Sequence, residues 1–197
     1  MNILSESCPA VRIMPPNQGL IRHQILEEHS MIAVKITDAR DFMSKLLKGT
    51  SFDSFWLTEA TITTYNTFTI DGNLRLEFFD PVLAKSLDLA GRTHSLWSEV
   101  RPFCFSVIKG RRTPLNFKII LQVSKEHIEQ ALENQDVAVT AEQISGLFLN
   151  IQFNGEEITC TTGTSLRIFT LDRSADVLWD NMALAFFHRN GIAFEKL

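Results

Sequence analysis

The sequence predicts an α+β fold, with antiparallel β-meanders and helices packed on one face. Three observations point there. Stretches such as Ile32-Val34-Ile36 and Leu147-Leu149-Ile151-Phe153 alternate apolar with polar positions, as half-buried strands require. Turn dipeptides, Asp71-Gly72 and Asn154-Gly155, stand between such stretches as hairpin connections do. Helical spacing is confined to short segments between the meanders, each with its own start and stop residues.

Residues 1–30 show no sustained periodicity and read as an irregular extension, or as an upstream reading of the gene, because Met31 stands directly before the first strand. A single α+β domain is expected over 31–197. In it Ile32, Val34 and Ile36 alternate with Ala33, Lys35 and Thr37. Asp38 then caps a short helix in which Phe42, Met43, Leu46 and Leu47 share a face, and Gly49 ends it. A Thr-rich strand spans 55–65. Phe68 and Ile70 lead to the Asp71-Gly72 turn, after which Leu74, Leu76 and Phe78 alternate with Arg75 and Glu77, predicting a hairpin on that turn.

A looser stretch over 80–94 precedes an apolar helix, with Pro102 near its start and its end at Gly110. Phe117, Ile119, Leu121 and Val123 make the next strand. Ser124 caps a helix carrying Ile128, Ala131 and Leu132, and 140–144 reads as one further helical turn. A second meander follows: the strand ending at Phe153, the Asn154-Gly155 turn, a return over 158–162, and a third strand over 166–171. The last helix runs from about Ser174 to Arg189, with Trp179, Met182 and Phe186 on one face and Asn190-Gly191 as its stop; 192–197 closes as a strand. The tails of the two halves read alike, Leu96-Trp97, Phe105, Gly110 and Phe117 beside Leu178-Trp179, Phe187, Gly191 and Phe194. Duplication of a meander, helix and strand unit and chance recurrence of aromatics both explain this.

The composition is that of a globular protein, 45% hydrophobic and 21% charged, and its 15 Phe against one Tyr supply packing bulk without polar tips. A net charge of −4 gives no overall attraction to nucleic acid or anionic lipid, so any such contact has to be local. Cys8, Cys104 and Cys160 are odd in number and far apart, which suits a reducing compartment and predicts a soluble, cytoplasmic protein without a membrane segment.

Chemical signatures are sparse. His94, His127 and His188 have no second ligand at helical or strand spacing, so no metal is expected, nor any cofactor. Cys104 and Cys160 read as buried small hydrophobes rather than nucleophiles. Glu59, the one charge in its strand, faces solvent or pairs with Arg75 or Lys35; the Thr-rich faces around Thr61, Thr63 and Tyr65, and around Thr159 and Thr161, line a polar groove or form the wet side of an antiparallel sheet, the second reading being preferred. The remaining cluster is Lys109-Gly110-Arg111-Arg112-Thr113-Pro114, with Lys118 on the following strand. Lys109, Arg111, Arg112 and Lys118 are candidates to hold an anion, since Arg grips phosphate or carboxylate with two hydrogen bonds; cations at a helix end also simply complement its dipole.

Five stretches, Ala33-Val34-Lys35-Ile36-Thr37-Asp38, Glu59-Ala60-Thr61-Ile62-Thr63-Thr64, Thr69-Ile70-Asp71-Gly72, Lys109-Gly110-Arg111-Arg112-Thr113-Pro114-Leu115 and Ile168-Phe169-Thr170-Leu171-Asp172, make the chain from Met31 onward resemble an uncharacterised bacterial family, a domain of unknown function. The resemblance implies a compact domain and transfers no site residue. A weaker likeness is to sliding-clamp domains. The sequence therefore predicts a non-enzymatic binding or assembly module that meets protein or itself. A nucleic-acid or nucleotide binder acting through 109–118, and an enzyme with an unfamiliar site, are the alternatives.

Overall fold

A computed structural model describes residues 31–87, 89, 91–133, 135 and 137–197. The expected extension over 1–30 lies outside the described residues. Seven strands, β1 (Ala33–Ile36), β2 (Trp56–Thr63), β3 (Thr67–Asp71), β4 (Asn116–Gln122), β5 (Ile144–Phe153), β6 (Ile158–Leu166) and β7 (Phe194–Lys196), form one sheet in the order β3-β2-β4-β5-β6-β1-β7. Every neighbouring pair is antiparallel. The α+β expectation holds. One row of paired residues crosses all seven strands: Ile70, Ala60, Ile119, Ile151, Cys160, Val34 and Lys196. Its five central members are buried, so Cys160 is a core residue of the sheet.

The alternation read in the sequence places Ile62, Phe117, Ile119, Leu121, Leu149, Ile151, Ile158 and Val34 on one face, all buried. Two bulges, at Leu57/Glu59 in β2 and Ile144/Gly146 in β5, add a residue to each strand. Leu57 and Ala60, and likewise Ile144 and Leu147, are therefore both buried although they stand three apart. The positions between, among them Thr61, Thr63, Lys118, Gln152, Thr159 and Thr161, are partly or wholly exposed on the other face, the wet side expected of them. There Thr61 meets Thr69 at 3.4 Å and Thr63 meets Thr67 at 3.2 Å. Glu59 accepts from Thr61 Oγ1 at 3.2 Å. Its expected cations are engaged elsewhere, Arg75 with Asp71 and Lys35 with Glu157.

Helices α1 (Ala39–Leu47), α2 (Pro81–Ser86), α3 (Trp97–Ile108), α4 (Lys125–Leu132) and α5 (Ser174–Arg189), with 3-10 turns at Leu76–Phe78 and Ala141–Gln143, accompany the sheet among the described residues. Asp38 and Ser124 cap α1 and α4 through Asp41 N and His127 N, as their sequence positions predict. Across the buried face, α3 packs on β2, α5 on β6, and α1 on α3. The Phe excess is spent here: Phe42 on Phe52, and Phe186 on Phe52 and Phe55, meet edge to face at 5.0–5.8 Å. Two indoles tie layers together by hydrogen bonds, Trp97 Nε1 to Leu46 O at 2.8 Å and Trp179 Nε1 to Phe148 O at 2.9 Å. Among the described residues no helix is long and apolar enough to cross a membrane.

The structure corrects three local expectations. The hairpin after β2 turns at residues 64–66, where Thr64 N donates to Asn66 O, and not at Asp71-Gly72. Gly72 instead answers a close approach: a Cβ there would lie 1.8 Å from Leu57 O. With no strand beside them, Leu76 and Phe78 fall in a 3-10 turn and are 48% and 82% exposed. Residues 167–171 are not a strand either: β5 begins at Ile144, the partner of Leu166, and beyond that pair only Arg167 N finds a backbone acceptor, Gln143 O, among the described residues. Pro102 sits inside α3, which begins at Trp97, rather than near its start.

Both halves run hairpin, helix, strand, as β2-β3-α2-α3-β4, with the short α2 added, and β5-β6-α5-β7. Their pairing differs, since β4 lies beside β2 whereas β1 intervenes between β6 and β7.

Candidate anion-binding site

Residues 109–115 join α3 to β4, and their sequence explains their shape. Lys109 closes α3, its amide donating to Phe105 O. Thr113, preceding a proline, is barred from continuing a helix, and Pro114 is buried as the anchor of the loop. Leu115 N then donates to Thr63 O and the strand begins. The β5–β6 turn supports the loop from below: Gly155, at φ +101°, would bring a Cβ to 3.0 Å from Leu115 O. Lys109, Gly110, Arg111, Arg112 and Thr113 are all exposed on a loop held at both ends.

A groove of about 650 Å3 runs along one side of this loop. Its floor is apolar, with Met43, Leu47, Phe105, Ile108 and the stacked pair Phe117 and Phe153, whose centroids are 5.3 Å apart. Its polar lining is basic: Arg40, Lys48, Lys109, Arg111 and Arg112, with Ser44 and Thr113 and no carboxylate. Arg40, Met43, Ser44, Leu47 and Lys48 follow one another at three- and four-residue spacing and so share one stripe of α1. The acid of that helix, Asp41, is turned elsewhere and pairs with Lys45, which also donates to Gly191 O. Lys48 Nζ and Lys109 Nζ lie 5.1 and 5.5 Å from the centroid of the Phe105 ring.

None of these five cations has an ion-pair partner among the described residues. Nor does any of the three loop side chains bond a carbonyl of α3 there, so capping does not use them up. The helix end contributes partial negative charge, which attracts the cations and weakens their joint field. Arg40, in the first turn of α1, and Lys48, at its C-cap, add two further cations to the lining.

On the other side of the loop a second groove, of about 730 Å3, is lined by the same Lys109, Arg111 and Arg112 together with Leu115 and with Tyr65 and Phe68 of the β2–β3 hairpin. The four sequence candidates are thus divided. Lys109, Arg111 and Arg112 are brought together, whereas Lys118 projects from β4 on the face opposite Phe117, paired with Thr61 and Gln152, and reaches neither groove. Sequence reasoning missed Arg40 and Lys48, and placed Tyr65 only with the Thr-rich face of its strand. The one signal for the first two was an α1 stripe beside Met43 and Leu47 without an acidic residue.

Other chemistry is limited. Ser124 Oγ lies 2.7 Å from His127 Nδ1 in a cavity of about 610 Å3, but the same hydroxyl caps α4 and no carboxylate bonds the second ring nitrogen among the described residues. No group of three or more His, Cys, Asp or Glu is placed to hold a metal among the described residues. Cys104 and Cys160 are free, buried thiols, as expected. Burial pushes Cys104 up to about 11 and Cys160 further in the same direction, away from thiolate chemistry.

No curated protein and no solved structure matches the chain. The model of one protein family, described as a family of unknown function (DUF5721), matches residues 45–195, which include α3, the 109–115 loop and both hairpins. The chain belongs to that family.

Proposed function

We propose that the protein is a non-enzymatic, cytoplasmic binding module that takes nucleic acid at the 109–115 loop. The observation that carries this reading is the groove in which Arg40, Lys48, Lys109, Arg111 and Arg112 converge without a carboxylate. A net charge of −4 makes such a concentration of positive charge local, and a local basic track suffices for phosphate contacts. Two free, buried cysteines accord with a reducing compartment.

Binding of a labelled oligonucleotide, followed by fluorescence anisotropy against salt, tests the proposal. Log K should fall with log salt by about 0.7–0.9 per phosphate engaged. The Arg111→Ala/Arg112→Ala variant is expected to lose roughly 10- to 100-fold in affinity at low salt and to flatten the slope by about 1.5. A Lys85→Ala/Lys125→Ala control, which removes equal charge elsewhere, should stay within about twofold. Equal losses in both variants, or none in the first, refute the reading.

A second reading, self-association, draws on Ile168, Phe169 and Leu171, 41%, 92% and 84% exposed where the sequence predicted a strand. Light scattering is then expected to show a dimer that Phe169→Ser/Leu171→Ser converts to monomer. A monomeric parent ends that reading.

A further inference from the structure

The two sides of the 109–115 loop offer different chemistry. One groove presents cations over an apolar floor; the other joins three of those cations to an aromatic hairpin tip. Tyr65 stands at that tip, 87% exposed, so most of both ring faces meets solvent. Phe68 supports it edge to face at 6.1 Å and 83°. The chain uses 15 Phe, several of them as core packing, yet places its one Tyr here. A large ring left in water on an ordered turn beside unpaired arginines is a stacking platform rather than a packing residue.

We infer, resting on the nucleic-acid reading above, that the ligand is a single strand, with phosphates along the Arg40, Lys48 and Arg111 groove and a base stacked on Tyr65. Each groove, about 650 and about 730 Å3, falls in the size range of a small-molecule site, roughly 300–1,000 Å3, which gives each side room for part of a strand. Lys109, Arg111 and Arg112 line both, so one loop can hold the backbone while a base reaches the far side. A duplex keeps its base faces inside the stack and can use only the cations; a single strand has both groups to offer. An acidic peptide would likewise satisfy the cations and leave Tyr65 in solvent.

The test uses the full chain and three probes: an oligothymidylate of about twelve nucleotides, within the usual span for such strands, a duplex of the same length, and inorganic polyphosphate or poly-glutamate as competitor. The single strand should bind at least about tenfold tighter than the duplex. Tyr65→Ala should lower single-strand affinity about 5- to 100-fold, the range one stacked base supplies, with duplex affinity and the salt slope unchanged and Tyr65→Phe restoring binding. Tyr65 is exposed on a turn, so melting should be unaltered in both variants, which separates lost stacking from lost structure. Equal affinity for strand and duplex, or a Tyr65→Ala variant that behaves as the parent, overturns the single-strand inference while leaving nucleic-acid binding intact. Poly-glutamate competing charge for charge overturns it in favour of an acidic protein. Absence of binding to either nucleic acid removes the underlying reading as well.

Discussion

Replacing Trp97 by alanine is expected to cost about 3–5 kcal/mol of folding stability, seen as a lowered urea midpoint by circular dichroism. The side chain is fully buried at the junction of α1, α3 and β2. Its removal leaves a cavity, and it also removes a hydrogen bond that nothing nearby replaces. Leu46 is the penultimate residue of α1, so its carbonyl lies among the last four of the helix and has no partner within it. Trp97 Nε1 donates to that oxygen at 2.8 Å, closing α1 from the neighbouring helix. Trp97→Phe weights the two effects differently: most of the volume stays, while the donor goes with a few ring atoms, and the expected loss is about 1–2 kcal/mol. Because α1 and α3 form opposite walls of the basic groove, the phenylalanine variant should also weaken anion binding modestly. An alanine variant within 1 kcal/mol of the parent contradicts this account.

Asp180 gives the second large effect, and its sign depends on the replacement. Its carboxylate is buried in α5 and accepts hydrogen bonds from Thr162 Oγ1 and from Ile32 N, at 3.3 Å for the latter, where β1 meets β6. Burial raises its pKa, opposed by the two hydrogen bonds and by Lys196, and Asp176 adds to the rise. The folded state therefore binds this proton more tightly than the unfolded chain does. As pH rises from about 4, the unfolded state ionises first, and the stability that Asp180 allows falls until the folded group has also ionised. Asp180→Asn keeps an acceptor oxygen without the buried charge. It should match or exceed the parent at neutral pH, and the difference should shrink toward pH 4. Asp180→Ala leaves the buried Thr162 hydroxyl without its acceptor, while Ile32 N keeps its 3.0 Å bond to Thr162 Oγ1, and should lose about 1–3 kcal/mol. Denaturation across pH 4–8 reads both, and an asparagine variant well below the parent at pH 7 would falsify the assignment.

Particular elements show how far pattern reading reaches. The strands containing Val34, Ile119 and Leu149 alternate because each has one buried face, and a period of two is visible in any such segment. The bounds of α5 follow from its periodicity and from Gly191, whose φ of +59° suits a helix stop. The failures share a cause. Leu74, Leu76 and Phe78, and Ile168, Phe169 and Leu171, have strand-like composition, but a strand also needs a neighbouring backbone. Each finds one only at its first residues, Leu74 N donating to Thr93 O and Arg167 N to Gln143 O, and no ladder continues past them among the described residues.

The candidate site divides along the same line. Lys109, Arg111 and Arg112 are close in sequence around a helix end and a proline, so local chemistry alone made them a cluster. That Lys118 belongs with the polar face of the sheet was implicit in the burial of Phe117. The sequence by itself thus determined the α+β class, most elements and the basic loop, since each depends on periodicities and turn residues within a few positions. Only the tertiary structure decided the strand order, the true hairpin turn, and the arrival of Arg40, Lys48 and Tyr65 beside the loop. Those depend on which surfaces pack across long separations, and no spacing along the chain encodes them.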